Sequence, residues 1–447
     1  MLQYDYFQPP ATLAKLPAWL TDRRVRDIYD SPRARALIVT DGSESYQVIV
    51  PRLALVDLNQ LVHLAWTNLS VSSLDASEWI SGIPGAYDLP TIVDTSLIDL
   101  PTLCVPGNDV DTYYTLSGQE LVKAFSPEPV SYNFCKPVST DPTSVNREND
   151  IDQIHQKVHS FTTRRITARL EETLSIPPLP EAARRIIALD SDPNHDLDDL
   201  TEVIEFDPSL CSRILGWANS AYYQLENPVT RVSDAIMRVL GFDKVKSIAL
   251  GIALNGTLAL PETHVRGLSP YWMSAIFCAS TMEALTPLVH RDTRPDTGMA
   301  YLAGLLHNFG MLILGHVFPP IYTDICNHQE ANRHLPHTFL DQHVFGLPRE
   351  VIAGALLESW QLPQPVCDAI RFQYVPDYTD DNAIYVYMLQ LSQQLLANAG
   401  IGDYPLGQPD IQLIQRLGLN ESGLERVMES IDNSSDEMEN LASAISS

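Results

Sequence analysis

Residues Tyr301–Leu314 read YLAGLLHNFGMLIL, an apolar run interrupted by two adjacent polar residues, His307 and Asn308. The longer window Tyr301–Phe318 adds a further histidine, His316. Polar groups at such positions are costly in hydrocarbon, so the run predicts a buried core helix rather than a membrane span. A helix apolar on all sides must be surrounded by others, and the flanking sequence supplies them. Strand signals are absent from Ser175 to Pro376, and the punctuation there is helical. Asp207-Pro208 starts a helix, with Asp capping exposed N–H groups and Pro fitting the first turn. Leu210, Ile214 and Ala218 line one face of that helix, Gly241 ends the next helix, and Asp243 is placed to cap the one after it. This segment is therefore expected to be all-α.

Upstream the texture differs. ALIVTDG and SYQVIVP form two β-rich runs around Asp41-Gly42-Ser43, a hairpin signal. LVDLNQLVHLA has helical apolar spacing, and TIVDTSL and TLCVPG are further β-branched runs. The expected architecture is a multidomain chain, with a mixed α/β domain over 1–125 and a proline-bearing linker over 126–149. An amphipathic connecting helix over 150–174 follows, with Arg164, Arg165 and Arg169 on its outer face, read as a solvated face. Then come the all-α domain over 175–376 and C-terminal helices over 377–447 that end in an acidic, frayed or disordered tail.

The 447 residues carry a net charge of -27 and an isoelectric point near 4.6, which disfavours non-specific binding to nucleic acid or an anionic membrane. The six cysteines are scattered, with no CxxC and no zinc-ribbon spacing, as expected for reduced thiols in a cytoplasmic protein. The first twenty residues lack the pattern of a signal peptide.

The segments IPPLPEAARRIIAL, DPSLCSRILGWANSAYY, AIMRVLGFDKVKSIALGIAL, GLLHNFGMLIL and LESWQLPQPVCDAIR resemble, in order and spacing, the HDOD domain. That resemblance implies an all-α fold related to the HD-type metal phosphohydrolases and a signalling or regulatory role in bacteria. HD enzymes hold divalent cations with a His, a His-Asp pair and a distant Asp, and the metal lowers the pKa of bound water. Here His307 keeps the paired His and Asn308 replaces its Asp. Ser274 stands near the first His position and Gln393 at the distant Asp. Arg349 and Gln373-Tyr374 stand where relatives often carry further histidines. Neutral amides are poor substitutes for carboxylates as ligands to a hard cation. The expectation is a pocket without metal or cofactor, lined by His307, Asn308, Asn219, Ser274 and Gln393, with His307 hydrogen-bonded to a helix carbonyl or to Asn219. Six histidines fall between His307 and His343. The HxxH at His334 and His337 spans Pro336, which disfavours two ligands on one helix face, so the cluster reads as loop histidines.

The first region resembles the YbaK-type aminoacyl-tRNA deacylases through RARALIVTDGSESYQVIVP and SGIPGAYDLPTIVDTSLIDLPTLCVPGNDVDTYYTLSGQELV. That family's expected Lys is matched by Arg35, which stays protonated and cannot serve the same role. Its Gly-Pro loop is matched by Gly82, Pro84 and Gly85 in changed spacing. Residues 1–150 carry 10 basic against 19 acidic residues, a balance that also disfavours tRNA, although Arg23, Arg24, Arg26, Arg33 and Arg35 offer a local patch. The joint reading is a non-catalytic regulatory protein that binds signalling proteins or a small-molecule ligand and no membrane. Two alternatives stand beside it: a tRNA deacylase regulated by the helical domain, and a divergent metal-dependent phosphohydrolase.

Overall fold

The computed structural model describes residues 24–25, 32–65, 70–71, 89–106, 113–123, 128–138, 147, 149–165, 179–189, 196–219, 225, 227–255, 258, 271–405 and 407–446. The chain forms two compact units. The described residues of the first fall within Met1–Asp141 and Asp324–Leu340, and those of the second within Pro142–Thr263, Ser269–Thr323 and Asp341–Ser447.

The first unit holds strands β1 (Arg24–Val25), β2 (Ala34–Thr40), β3 (Ser45–Pro51), β4 (Leu55–Val56), β5 (Ser70–Val71), β6 (Thr91–Asp94), β7 (Leu103–Pro106), β8 (Tyr113–Leu116), β9 (Val130–Tyr132) and β10 (Cys135–Lys136). Helix α1 (Leu58–Ala65) follows β4 and α2 (Gly118–Lys123) follows β8. The main sheet has the order β5-β2-β3-β6-β9. The expected hairpin is present: β2 and β3 pair antiparallel from Ala34↔Pro51 to Thr40↔Ser45. At its tip Asp41 accepts hydrogen bonds from the Ser43 and Glu44 amides. Strands β6 and β9 extend the sheet in parallel.

Because side chains alternate along a strand, β3 feeds two cores. Ile49 joins Val93, Leu103, Val105, Leu116 and Leu121 on one face. Val48 and Val50 join Leu37, Val39, Val56, Leu61, Phe134 and Ala331 on the other. Burial on both faces explains the unbroken run VIV.

The segment read as a linker over 126–149 supplies β9 and β10 instead. Its prolines masked two short strands whose Val130 pairs with Ile92 and Cys135 with Val56. Asp94 fixes the turn between them by accepting from the Phe134 and Cys135 amides. Burial pushes the Asp94 carboxyl up, but these bonds and those from Ser96 outweigh it and hold the group below the usual carboxylate range.

The remaining elements are helical: α3 (Asp150–Arg165), α4 (Glu181–Leu189), α5 (Leu197–Phe206), α6 (Pro208–Ala218), α7 (Val232–Ala235), α8 (Phe242–Asn255), α9 (Tyr271–Leu285), α10 (Thr297–Leu306), α11 (Phe309–Val317), α12 (Pro319–Ala331), α13 (His337–Val344), α14 (Arg349–Ser359), α15 (Gln364–Phe372), α16 (Ala383–Asn398), α17 (Ile411–Arg416), α18 (Glu421–Asn433) and α19 (Ser435–Ser446). Helix α6 begins at Asp207-Pro208, with Asp207 accepting from the Ser209 and Leu210 amides. Helix α8 starts at Phe242, one residue before the expected cap Asp243. The connecting helix is described to Arg165. The side chains of Arg164 and Arg165, and residue Arg169, lie outside the described set.

The apolar run of the opening stretch forms two helices, α10 and α11, broken at His307-Asn308. Of the most apolar window within Thr297–Val317, 89% is buried, as a core element requires. The acidic C-terminus corrects the expectation of a frayed tail. Leu424, Val427 and Ile431 recur at helical spacing and are buried in α18, as are Met438 and Ala442 in α19. The high acid content hid this stripe.

Candidate ligand pocket

Four pieces of the second unit converge on His307. Helix α9 contributes Ser274 and Cys278, and the α10–α11 break contributes His307 itself. Helix α16 contributes Gln393 and Leu396, and the following loop contributes Ile401, Gly402, Asp403 and Tyr404. The enclosed volume is about 10 Å³, the room of about one water molecule.

His307 sits at the C-terminus of α10, where backbone carbonyls lack intrahelical partners. Its Nδ1 lies 2.7 Å from the Gly304 carbonyl oxygen, which can only accept, so Nδ1 carries the proton. In the neutral ring Nε2 is then the acceptor, 3.3 Å from Ser274 Oγ. A chain of neutral groups surrounds the histidine. Tyr374 OH donates to Gln393 Oε1 at 2.7 Å, Gln393 Nε2 to Gln373 Oε1 at 2.9 Å, and Gln373 Nε2 to the His307 carbonyl at 2.8 Å. Burial raises the Tyr374 phenol well above its ordinary pKa, so it remains a donor.

A group of charged side chains borders the site: Arg349 with Asp341, Asp403 and Glu350. Arg349 Nε and Nη2 each donate to Asp341 at 2.7 Å, and Nη1 faces Asp403 Oδ2 at 3.7 Å. Burial alone would lower the Arg349 pKa, but the Asp341 carboxylate outweighs it and the guanidinium stays charged. Gly310 makes room for this residue. A Cβ there would lie 2.7 Å from the Arg349 carbonyl oxygen and 2.8 Å from its Cβ, closer than real Cβ atoms approach.

Of the five residues expected to line this pocket, Ser274, His307 and Gln393 come together. Asn308 heads α11 without a capping side-chain hydrogen bond and is outside the cavity wall. Of the two partners expected for His307, the structure shows the helix carbonyl, at Gly304, while Asn219 is elsewhere. As the C-terminal cap of α6 it spans Val229, donating to its carbonyl at 2.8 Å and accepting from its amide at 2.7 Å. Sequence reasoning missed Asp403 and Tyr404. A loop acid beside Gly400 and Gly402 carries no periodic signal, and only the turn after α16 brings it to His307.

The residues present do not fit a divalent cation. Nδ1 of His307 is committed to a carbonyl, the two glutamine amides are engaged with each other, and the one lining carboxylate, Asp403, is faced by a guanidinium. Among the described residues no group of three or more His, Cys, Asp or Glu ligand atoms includes His307.

In the first unit, Arg35 on β2 points Nη2 at Asn332 Oδ1, 3.4 Å away. Burial lowers its pKa to about 10, and Arg52 adds to the effect. Gly82, Pro84 and Gly85 lie outside the described residues. His328 and His334 fall in the part of the helical region that belongs to this unit. His328 is fully buried, with Nδ1 donating to the Asp324 carbonyl at 2.8 Å. His334 is held neutral, its pKa lowered to about 3 chiefly by burial, with Arg35 and Arg52 contributing. His334 lies in the turn between α12 and α13, as its loop reading expected, whereas His316, His328, His337 and His343 lie in helices, which corrects that reading for them.

The HDOD domain model matches residues 176–376. A crystal structure of a protein from Marinobacter aquaeolei VT8, provisionally named for signal transduction, is 32% identical with a TM-score of 0.84, over 93% of this chain and 94% of that one. The chain belongs to the HDOD family. An HDOD domain protein with unknown function from Geobacter sulfurreducens shares the fold at 17% identity, with a TM-score of 0.52, over 66% of this chain and 98% of its own. An uncharacterised Treponema pallidum (strain Nichols) protein is 24% identical over 219 residues, which spans 49% of this chain and 41% of the relative's length.

Proposed function

We propose that this HDOD protein is a non-catalytic regulator. A small molecule or a signalling protein would favour one packing of the helices around His307 over another, so that the domain reports binding as a population shift. The observation that carries the reading is the Tyr374–Gln393–Gln373–His307 hydrogen-bond chain. Neutral donors and acceptors stand where hydrolysis would need carboxylates to bind a cation and activate water. With the Ser274–His307 contact, this buried network joins α9, the α10–α11 break, the end of α15 and α16 in one arrangement, a state that a partner can select or oppose. The free thiols of all six cysteines accord with work in a reducing cytoplasm.

Metal analysis of the purified protein, with a phosphodiester hydrolysis assay in added Mn²⁺, tests the reading. The expected outcome is substoichiometric metal and no turnover above a heat-denatured control. Stoichiometric metal, with turnover abolished in His307→Ala, would overturn it in favour of a divergent phosphohydrolase.

A further inference from the structure

Arg349 is 1% exposed, and Asp341 engages only two of its three guanidinium nitrogens. The third, Nη1, is buried and donates no hydrogen bond among the described residues. Asp403 faces it at 3.7 Å, too long for the charge-assisted hydrogen bond of 2.7–2.9 Å that a well-seated carboxylate makes, and Glu350 adds a further negative charge nearby. Asp403 therefore balances the charge without meeting the donor. It sits on a loop with Gly400 at φ +77 and Gly402 at φ +88, conformations that glycine adopts freely and that suit a hinge. The loop backbone passes over Ser274, since a Cβ on Gly402 would lie 3.6 Å from Ser274 Oγ. Tyr404 closes the far end by stacking on Tyr374 at 5.5 Å between ring centroids. Behind the loop lie Ser274 and His307, each 5% exposed.

We propose that Asp403 is an internal plug in an anion site, and that a phosphoryl group, free or as a monoester, binds when the Gly400–Tyr404 loop swings out. Its oxygens take the hydrogen bond of Arg349 Nη1 and that of the Ser274 hydroxyl, with His307 alongside. Arg349, already paired with Asp341 and near Glu350, supplies a charged donor rather than excess positive charge, and that donor reaches the anion without a metal. A phosphoryl group suits the site better than a second carboxylate because it offers acceptors in several directions to donors on α14 and α9. The closed cavity is far too small for it, so binding is coupled to loop opening, and this supplies the population shift proposed above. The inference rests on that reading of a metal-free pocket.

Calorimetric titration with inorganic phosphate, at constant ionic strength and with EDTA present, tests the plug. Asp403→Asn removes the competing charge while keeping the side-chain shape, and is expected to bind phosphate about tenfold or more tighter than the wild type. Adding Ser274→Ala to that variant should reverse most of the gain. Phenyl phosphate in parallel separates the sources: tighter binding than inorganic phosphate assigns the site to a monoester, and weaker binding to the free anion. Asp403→Ala provides a second route to the same comparison. The proposal is overturned if neither Asp403 variant gains affinity, or if the gain survives Ser274→Ala. It is equally overturned if both Asp403 variants fail to fold, since Asp403 would then be a structural support rather than an exchangeable plug. Phosphate binding that vanishes with EDTA would point to a metal and would overturn the function proposed above as well. A simple failure to gain affinity leaves that function standing.

Discussion

Replacing Asp150 with Ala should destabilise the second unit severely. Asp150 stands in the first turn of α3, and its carboxylate receives Arg371 of α15: Nε at 2.5 Å and Nη2 at 2.9 Å. Both side chains are almost fully buried, at 4% and 3% exposure. Deleting one partner strands the other charge in the interior, and stranded charges of this kind cost about 3–5 kcal/mol. For a unit of this size each kcal/mol moves the melting temperature by about 2 °C, so the expected drop is about 6–10 °C. Differential scanning calorimetry at neutral pH measures it. The companion variant Asp150→Leu with Arg371→Met removes both charges and keeps apolar bulk, and should recover most of the loss. A drop below about 2 °C in Asp150→Ala, against the several kcal/mol expected for a stranded charge, would refute the reasoning. So would a double variant as unstable as the single one. The outcome matters for architecture, because Asp150 lies before the HDOD match and Arg371 within it. A second ion pair, from Arg147 to Asp368 at 2.6 Å, ties the same approach to the same helix.

Three further expectations concern both units. Asn332→Ala removes a side-chain amide that accepts from the Val56 amide at 2.7 Å and donates to its carbonyl at 3.0 Å, and should cost the first unit about 2–4 kcal/mol, read from urea unfolding and from faster hydrogen exchange at Val56. Gly310→Ala should destabilise the second unit by about 1–3 kcal/mol or more, because the nearest obstacle is backbone rather than a movable side-chain tip, and a shifted urea midpoint checks it. His334 has a folded pKa lowered to about 3 from an ordinary value of 6.5, so below 6.5 the unfolded chain binds the extra proton. Its contribution to stability is therefore complete above about pH 6.5 and is lost as pH falls from there toward 3. Urea midpoints at pH 7 and pH 5 should differ less in His334→Gln than in the wild type.

Local signals carried a good part of this reading. The hairpin around Asp41-Gly42-Ser43, the start of α6 at Asp207-Pro208 and the burial of the apolar run around His307 are each written within a few residues, whereas the break of that run into two helices was not read. Turn chemistry, capping and hydrophobic periodicity are short-range effects. The signal failed where it was masked. Prolines hid β9 and β10 in a supposed linker, and acids hid the stripe Leu424, Val427 and Ile431.

By itself, then, the sequence determined the order of an α/β region followed by helices and the HDOD character of residues 176–376. These follow from residue identity and from spacing along the chain. Tertiary structure alone decided which polar groups meet. It sent Asn219 to Val229, joined Gln373 to Gln393 under His307, and set Asp403 before Arg349. It also gave Asn332 and His334 to the first unit, across almost three hundred residues from Val56 and Arg35. A buried donor or acceptor must find its partner wherever the packed chain places one, and sequence distance does not encode that.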